Sequence, residues 1–279
     1  MLVCRNGRVD SLTLEGRVLA PAQGIDAALR ITVADGVITA IEPGRADGGL
    51  VVAPAFVDPH VHLRTPGRED EETIASGTAA AAAGGYCAIL AMPNTDPVVD
   101  SAAVLGALVE RARDEAVVPT GFMAAISKGQ RGEELTEMAE LAAAGAAAFT
   151  DDGRPVESAG VMRRALQYSA VTDLRLALHC EEPALSRGGH VHEGVVSAEL
   201  GIGPYPSSAE SLMVERDLAL AGAEARPLHL MHLSARESVA ALERARAAGV
   251  AATGEVTPHH LVLTDEAVRS LDPNPKMNP

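Results

Sequence analysis

From residue 50 to near the end of the chain, short apolar runs alternate with longer helical stretches, and this alternation restricts the fold more than any other feature. Strands are expected at 50–58, 86–92, 118–126, 146–150, 174–178, 227–231 and 250–255. Helices are expected at 72–83, 101–116, 132–144, 158–169, 208–223 and 235–248. Repeated βα units imply a parallel sheet with right-handed crossovers, because a parallel neighbour is reached only through a connection long enough to hold a helix. The runs that end in histidine or aspartate do so at their C-terminal ends, where a TIM-type (β/α)8 barrel gathers its functional side chains. Residues 1–49 have a different pattern. Short alternating runs at 12–14, 29–33 and 37–41 are punctuated by Asp35-Gly36, a strong hairpin signal. A small β module is expected over 1–49, followed by the barrel over 50–279.

With 279 residues, 47% of them hydrophobic, the chain can bury a substantial core. A formal net charge of −15 argues against nucleic acid or an anionic membrane as the main partner. Aromatic residues make up 2% and tryptophan is absent, which removes a stacking platform for bases. The three cysteines, Cys4, Cys87 and Cys180, lack C-x-x-C spacing. Each is expected to be a small buried hydrophobe in a reducing compartment. The first eleven residues hold two arginines and an aspartate with no apolar core, unlike a signal peptide. The alanine-rich stretch 74–92 is broken by Gly84-Gly85 and divides into a helix followed by a strand. A cytoplasmic location is expected.

The run FVDPHVHLR at 56–64 carries the most chemistry. In an extended segment side chains i and i+2 point the same way, so His60 and His62 can converge on one metal ion. Arg64 continues the alternation and offers a rigid fork of donors to a carboxylate beside that metal. Three more stations follow at strand ends: Asp151-Asp152 after the fourth, His179 after the fifth and His232 after the sixth. Four histidines and a bridging carboxylate suit a two-metal site, with Zn²⁺ the default for such ligands. Alternation alone does not choose between Asp151 and Asp152.

The segments FVDPHVHLRTPG, AMPNTDP, FTDDG, HCEE, HLMHLS, EVTPHH and PKMNP occur in this order from residue 56 to 279. In them the chain resembles the dihydroorotases of the amidohydrolase superfamily, of the type with an aspartate where relatives carry a carboxylated lysine. The resemblance implies that His60 and His62 bind one Zn²⁺, His179 and His232 a second, and that Asp152 bridges them. It implies that His62, Arg64, Asn94 and Asn278 contact substrate, with Arg64 and Asn94 on its carboxylate and Asn278 on the ring amide. The implied reaction is reversible cyclisation of N-carbamoyl-L-aspartate to dihydroorotate plus water in pyrimidine synthesis, through water activated by the metals. A homodimer or a complex with aspartate transcarbamoylase is implied as a partner state. A related hydantoinase or allantoinase, or a non-catalytic scaffold for aspartate transcarbamoylase, are the competing readings.

Two departures stand out. Thr65 replaces the family's glutamate after HLR, a position expected to lie outside the ligand shell. The family's general acid/base aspartate sits on an eighth strand, and the chain stops at Pro279. A truncated barrel lacking that strand is expected, along with loss of turnover, since a positioned proton-transfer group is worth about 10²–10⁴ in rate. His190 and His192 repeat the H-x-H spacing but follow Arg187-Gly188-Gly189, in a loop or helix start. His229 is expected to pack in the core, facing away from His232. His259 and His260 are expected to be structural, Gly84-Gly85 a helix stop, and Glu181 and Glu182 supporting or solvated charges.

Overall fold

The computed structural model describes residues 1–5 and 11–277. Near the N-terminus, strands β1 (Ser11–Ala20), β2 (Ile25–Ala34), β3 (Val37–Pro43) and β4 (Val51–Val52) form a sheet in the order β3-β2-β1-β4. The hairpin between β2 and β3 turns at Asp35 and Gly36, both with positive φ (50° and 76°), the conformation a type I′ turn requires. Parallel pairing of β4 with β1 carries this sheet past residue 49. Met1–Arg5 lies elsewhere, its Val3 backbone exchanging two hydrogen bonds with Thr120.

The seven parallel positions expected from residue 50 onward are all present. Strands β5 (Phe56–Val61), β6 (Tyr86–Ala91) and β7 (Thr120–Phe122) form one arc. After two short strands outside the barrel, β9 (Val191–His192) and β10 (Pro204–Tyr205), the chain supplies β11 (Leu228–Leu230) and β12 (Ala252–Gly254), which pair with β8 (Leu176–Leu178) in the order β12-β11-β8. Phe149 joins the two arcs through parallel bridges to Ala124 and Leu176. The stretch 146–150 is therefore a single bridge rather than the expected strand, although its backbone still bonds to both sides. The third strand is also shorter than expected. At its end the amides of Ile126 and Ser127 leave the ladder for the Asp151 carboxylate.

The helices are α1 (Ile74–Ala83), α2 (Ala102–Glu115), α3 (Met138–Ala143), α4 (Ala159–Ser169), α5 (Pro183–Ser186), α6 (Val195–Leu200), α7 (Ser208–Ala223), α8 (Arg236–Ala247) and α9 (Pro258–Val262). Thr73 and Ser158 cap α1 and α4 by accepting backbone N–H bonds. Helix α1 stops at Gly84-Gly85, as its glycines suggested. Expected helix 132–144 shrinks to α3, because Thr136 folds back onto the carbonyls of Ala125 and Ile126. Among the described residues no helix is long and apolar enough to cross a membrane.

Alternation along each strand separates two cores. Leu176, Leu178, Leu228 and Leu230 join the large cluster between sheet and helices, with Ile89, Leu105 and Leu166. The opposite face supplies a small, methionine-rich interior of Met92, Met123, Ala148, Ala177 and Met231. Both faces are covered, as parallel strands require. Of the cysteines, Cys180 is buried and Cys4 half-buried, but Cys87 is exposed near the start of β6, contrary to its expected burial.

Loops after β5 and β6 meet closely. Asp96 donates its backbone N–H to the Pro66 carbonyl at 3.0 Å. A Cβ on Gly67, at φ +99°, would lie 2.2 Å from the Asp96 carbonyl oxygen. Gly67→Ala is therefore expected to lower unfolding free energy by more than about 1 kcal/mol, measured by denaturant titration.

Candidate metal centre

Each side chain of the site leaves the C-terminal end of a strand. His60 and His62 come from β5 and the residue after it, Asp152 from the loop after the Phe149 bridge, His179 from the end of β8 and His232 from beyond β11. Asp152, His179 and His232 are buried, at 3%, 6% and 7% exposure. The Asp152 carboxylate faces histidines on both sides. Its Oδ2 lies 3.4 Å from His60 Nε2 and 3.6 Å from His62 Nε2. Its Oδ1 lies 3.5 Å from His232 Nε2 and 3.9 Å from His179 Nδ1. Asp151 turns away and accepts bonds from Ile126 N–H at 2.8 Å, Ser127 N–H at 3.0 Å and the Ser127 hydroxyl. The choice that alternation left open is thus made by the backbone turn at 151–153, where Gly153 takes φ 82°.

His60, Asp152 and His232 offer ligand atoms within 4.8 Å of one another, a spacing a single cation can span. His179 Nδ1 and His232 Nε2 stand 3.1 Å apart, close to the separation of two nitrogens on one tetrahedral ion. Nitrogen and carboxylate donors around a buried carboxylate fit a divalent metal of the Zn²⁺ type.

Three of the four histidines have their outward nitrogen held. His60 Nδ1 meets Glu255 Oε1 at 2.9 Å, His62 Nδ1 meets Asn94 Oδ1 at 3.0 Å, and His179 Nε2 meets Glu181 Oε2 at 2.9 Å. Such contacts orient an imidazole and choose its tautomer. Burial pushes the Asp152 carboxyl up, but hydrogen bonds to His232 and His60 outweigh it and hold the group well below the usual carboxylate range. Burial disfavours the charged form of His60, yet its bonds to Asp152 and Glu255 lift it to about 9. For His62 and His232 burial prevails and shifts both down. His179 holds Glu181 at about 2.

Arg64 and Asn94 reach this cluster differently from the expected anion grip. Arg64 is near enough to depress His62 electrostatically, and its Nε lies 3.4 Å from Glu71 Oε2. Asn94 serves His62 and lies 3.4 Å from Asp152 Oδ2 through its amide nitrogen. Asn278 lies outside the described residues. Thr65 is buried, and its hydroxyl has no partner among the described residues. His190, His192, His259 and His260 line a separate cavity of about 650 Å³, bounded also by Arg236 and Lys276. His190 and His192 flank or form β9 rather than a plain loop.

His229 is not the packed core histidine expected. It bonds Thr253 Oγ1 at 2.8 Å and Glu255 Oε2 at 3.1 Å. Glu255 and Glu210 were not singled out from the sequence. Glu255 had a usable signal, a carboxylate at the end of the seventh run. Ser207-x-x-Glu210 has capping-box spacing, but Glu210 instead accepts from Ser234 N–H and hydroxyl and from Ala235 N–H, at 2.9–3.0 Å. It thereby secures the loop that carries His232, a residue with φ 37°.

A family model described as dihydro-orotase-like matches residues 49–238. A dihydroorotase from a Geobacter species is 44% identical over 273 residues, covering 95% of this chain and 64% of the relative. Another, from Pelotomaculum thermopropionicum, is 47% identical over 231 residues, covering 83% of this chain and 54% of the relative. The chain spans less than two thirds of the length of these relatives. Among solved structures, an L-hydantoinase (dihydropyrimidinase) from Arthrobacter aurescens has TM-score 0.79 at 21% identity, covering 95% of this chain and 62% of its own. A D-hydantoinase gives 0.69 at 23%, covering 92% of this chain and 59% of its own. These structural likenesses establish a shared fold.

Asp217 on α7 supports the His179 loop from behind, with Cys180 Sγ 3.8 Å from its Oδ2 and Arg216 Nη2 2.7 Å from its Oδ1. Burial lifts its pKa from 3.8 to about 6, against the pull of Arg216. The folded state then holds this proton more tightly than the unfolded chain. Its contribution to stability is fully present below pH 3.8 and declines as pH rises to about 6. In Asp217→Asn the difference in unfolding free energy from the parent should shift toward the variant across this window, as read by denaturant melts at several pH values.

Proposed function

The chain belongs to the dihydro-orotase-like family, and on that premise we propose that it carries the metal-binding barrel of a dihydroorotase. The reaction is reversible closure of N-carbamoyl-L-aspartate to (S)-dihydroorotate with release of water, a step of pyrimidine synthesis. The observation that carries this reading is the Asp152 carboxylate, with His60 and His62 facing one oxygen and His179 and His232 facing the other. Asp152 would bridge two Zn²⁺ ions, one held by each histidine pair. When bound, such ions supply Lewis acidity and lower the pKa of water to about 7.

The remaining roles fall to the chain's own residues. Arg64 sits beside His62, and its present partner Glu71 is a half-exposed carboxylate. Dihydroorotate carries a carboxylate that can displace Glu71 from the guanidinium, which favours this substrate over a neutral hydantoin. Asn94 keeps His62 turned toward Asp152 and can direct its amide at the same carboxylate. Asn278 would bond the ring amide.

Two measurements test the reading. Asp152→Asn should cut bound Zn²⁺ to less than half of the parent by elemental analysis. Asp151→Asn should retain it while losing roughly 1–3 kcal/mol of stability, because an amide nitrogen replaces the oxygen that accepts the Ser127 hydroxyl. Undiminished metal in Asp152→Asn would overturn the bridging role. Calorimetry of the Zn²⁺-loaded protein should show dihydroorotate binding that weakens at least tenfold in Arg64→Met. Tighter binding of hydantoin than of dihydroorotate would instead assign the site to a neutral cyclic amide.

A further inference from the structure

We propose that Glu255 is a positioning residue for His60, setting its tautomer and ring plane and tying the last strand of the barrel arc to the first. The inference rests on the reading of His60 as a metal ligand. Glu255 follows β12 and His60 lies within β5, the two strands that end the arc and share no ladder among the described residues. The side-chain contact between them crosses this seam at 2.9 Å.

Glu255 is itself well held. Its N–H donates to the Leu230 carbonyl at 3.0 Å, and its carbonyl accepts from Leu233 N–H at 2.8 Å. Its second carboxylate oxygen meets His229 Nε2 at 3.1 Å, and His229 Nδ1 meets Thr253 Oγ1 at 2.8 Å. The register pairs His229 with Thr253, and Thr253 and Glu255 are two apart on one strand, so all three side chains share a face. Asp58, two residues before His60, uses Oδ1 to accept the His60 backbone N–H at 3.0 Å, leaving the ring Nδ1 to Glu255.

A carboxylate accepts and does not donate, so Glu255 holds a proton on His60 Nδ1, and the proton that a metal must displace is the one on Nε2, facing Asp152. Without Glu255 the ring is free to place its proton on Nε2, the tautomer that cannot ligate through that atom. Contacts of this kind are worth about 10–100-fold in metal affinity. Glutamine at 255 can still accept from His60 Nδ1 while donating to His229, whose own tautomer and the Thr253 hydroxyl reverse to match. Partial rescue follows from that geometry.

The test compares parent, Glu255→Gln, Glu255→Ala and His60→Ala proteins in two ways. Zn²⁺ affinity is measured by competition with a chromophoric chelator, and His60 tautomer by ¹⁵N NMR of chelator-treated protein at a pH above 9, where the ring keeps a single proton. Expected results are a 10–100-fold affinity loss in Glu255→Ala, a smaller loss in Glu255→Gln, and an Nδ1–H signature in the parent that is lost in Glu255→Ala. Parent-like affinity in Glu255→Ala, or an Nε2–H tautomer in the parent, overturns the proposal. Zn²⁺ affinity equal in the parent and His60→Ala would instead overturn the metal reading, while the tautomer measurement still decides the role of Glu255. If Glu255→Ala does not fold, the parent spectrum and the Glu255→Gln affinity carry the test.

Discussion

An ionised carboxylate at 3% exposure with four histidines around it is the constraint on which the rest of this structure depends. Asp152 would be costly to bury charged without partners. The hydrogen bonds that outweigh its burial come from rings on opposite sides of the barrel mouth. Those rings are far apart in sequence, so satisfying one carboxylate requires the ends of β5, β8 and β11 to close on a common point. The small interior draws Met92 and Met123 from the ends of β6 and β7, Ala148 from beside the Phe149 bridge, and Ala177 and Met231 from β8 and the end of β11. Methionine adapts to irregular space, which suits an interior where two positions carry only the methyl of alanine.

The surrounding shell explains why the cluster keeps its arrangement. Glu255, Asn94 and Glu181 each hold the outer nitrogen of one histidine. His232 is held differently, through the loop that follows it. The first turn of α7 secures that loop with Glu210, and its Ala209 carbonyl accepts Glu182 N–H from the His179 loop at 2.7 Å. One helix terminus therefore fixes the backbone beside both histidines on the Oδ1 side of Asp152. Arg64 and Glu71 form a partly exposed ion pair beside His62, on the Oδ2 side of Asp152, and such pairs are individually weak.

Much of this was legible from residue patterns. The seven parallel positions, the Asp35-Gly36 hairpin and the strand-end histidines follow from period-two alternation and turn chemistry, which are local properties. Pairing at 146–150 and helix 132–144 were overestimated because local pattern does not reveal competition for backbone bonds. Asp151 takes the amides that would have extended the third strand, and the Thr136 N–H and hydroxyl donate to the Ile126 and Ala125 carbonyls, so that this N–H makes no helical bond. Cys87 was placed inside by residue type, although it is exposed near the start of its strand, where the register against β5 shifts.

Sequence by itself determined the alternation of parallel strands with helices and placed His60, His62, Asp151-Asp152, His179 and His232 at strand ends, because strand period and residue chemistry are both written locally. It left Asp151 and Asp152 equivalent and gave His229 no part in the site. Tertiary structure decided those points. The turn at Gly153 directs Asp152 rather than Asp151 at the histidines, and Glu255 joins His229 to His60 across almost two hundred residues of chain. The physical reason is that a hydrogen bond depends on separation in space, and the first and last strands of the barrel arc become neighbours only when the sheet curves round to face itself.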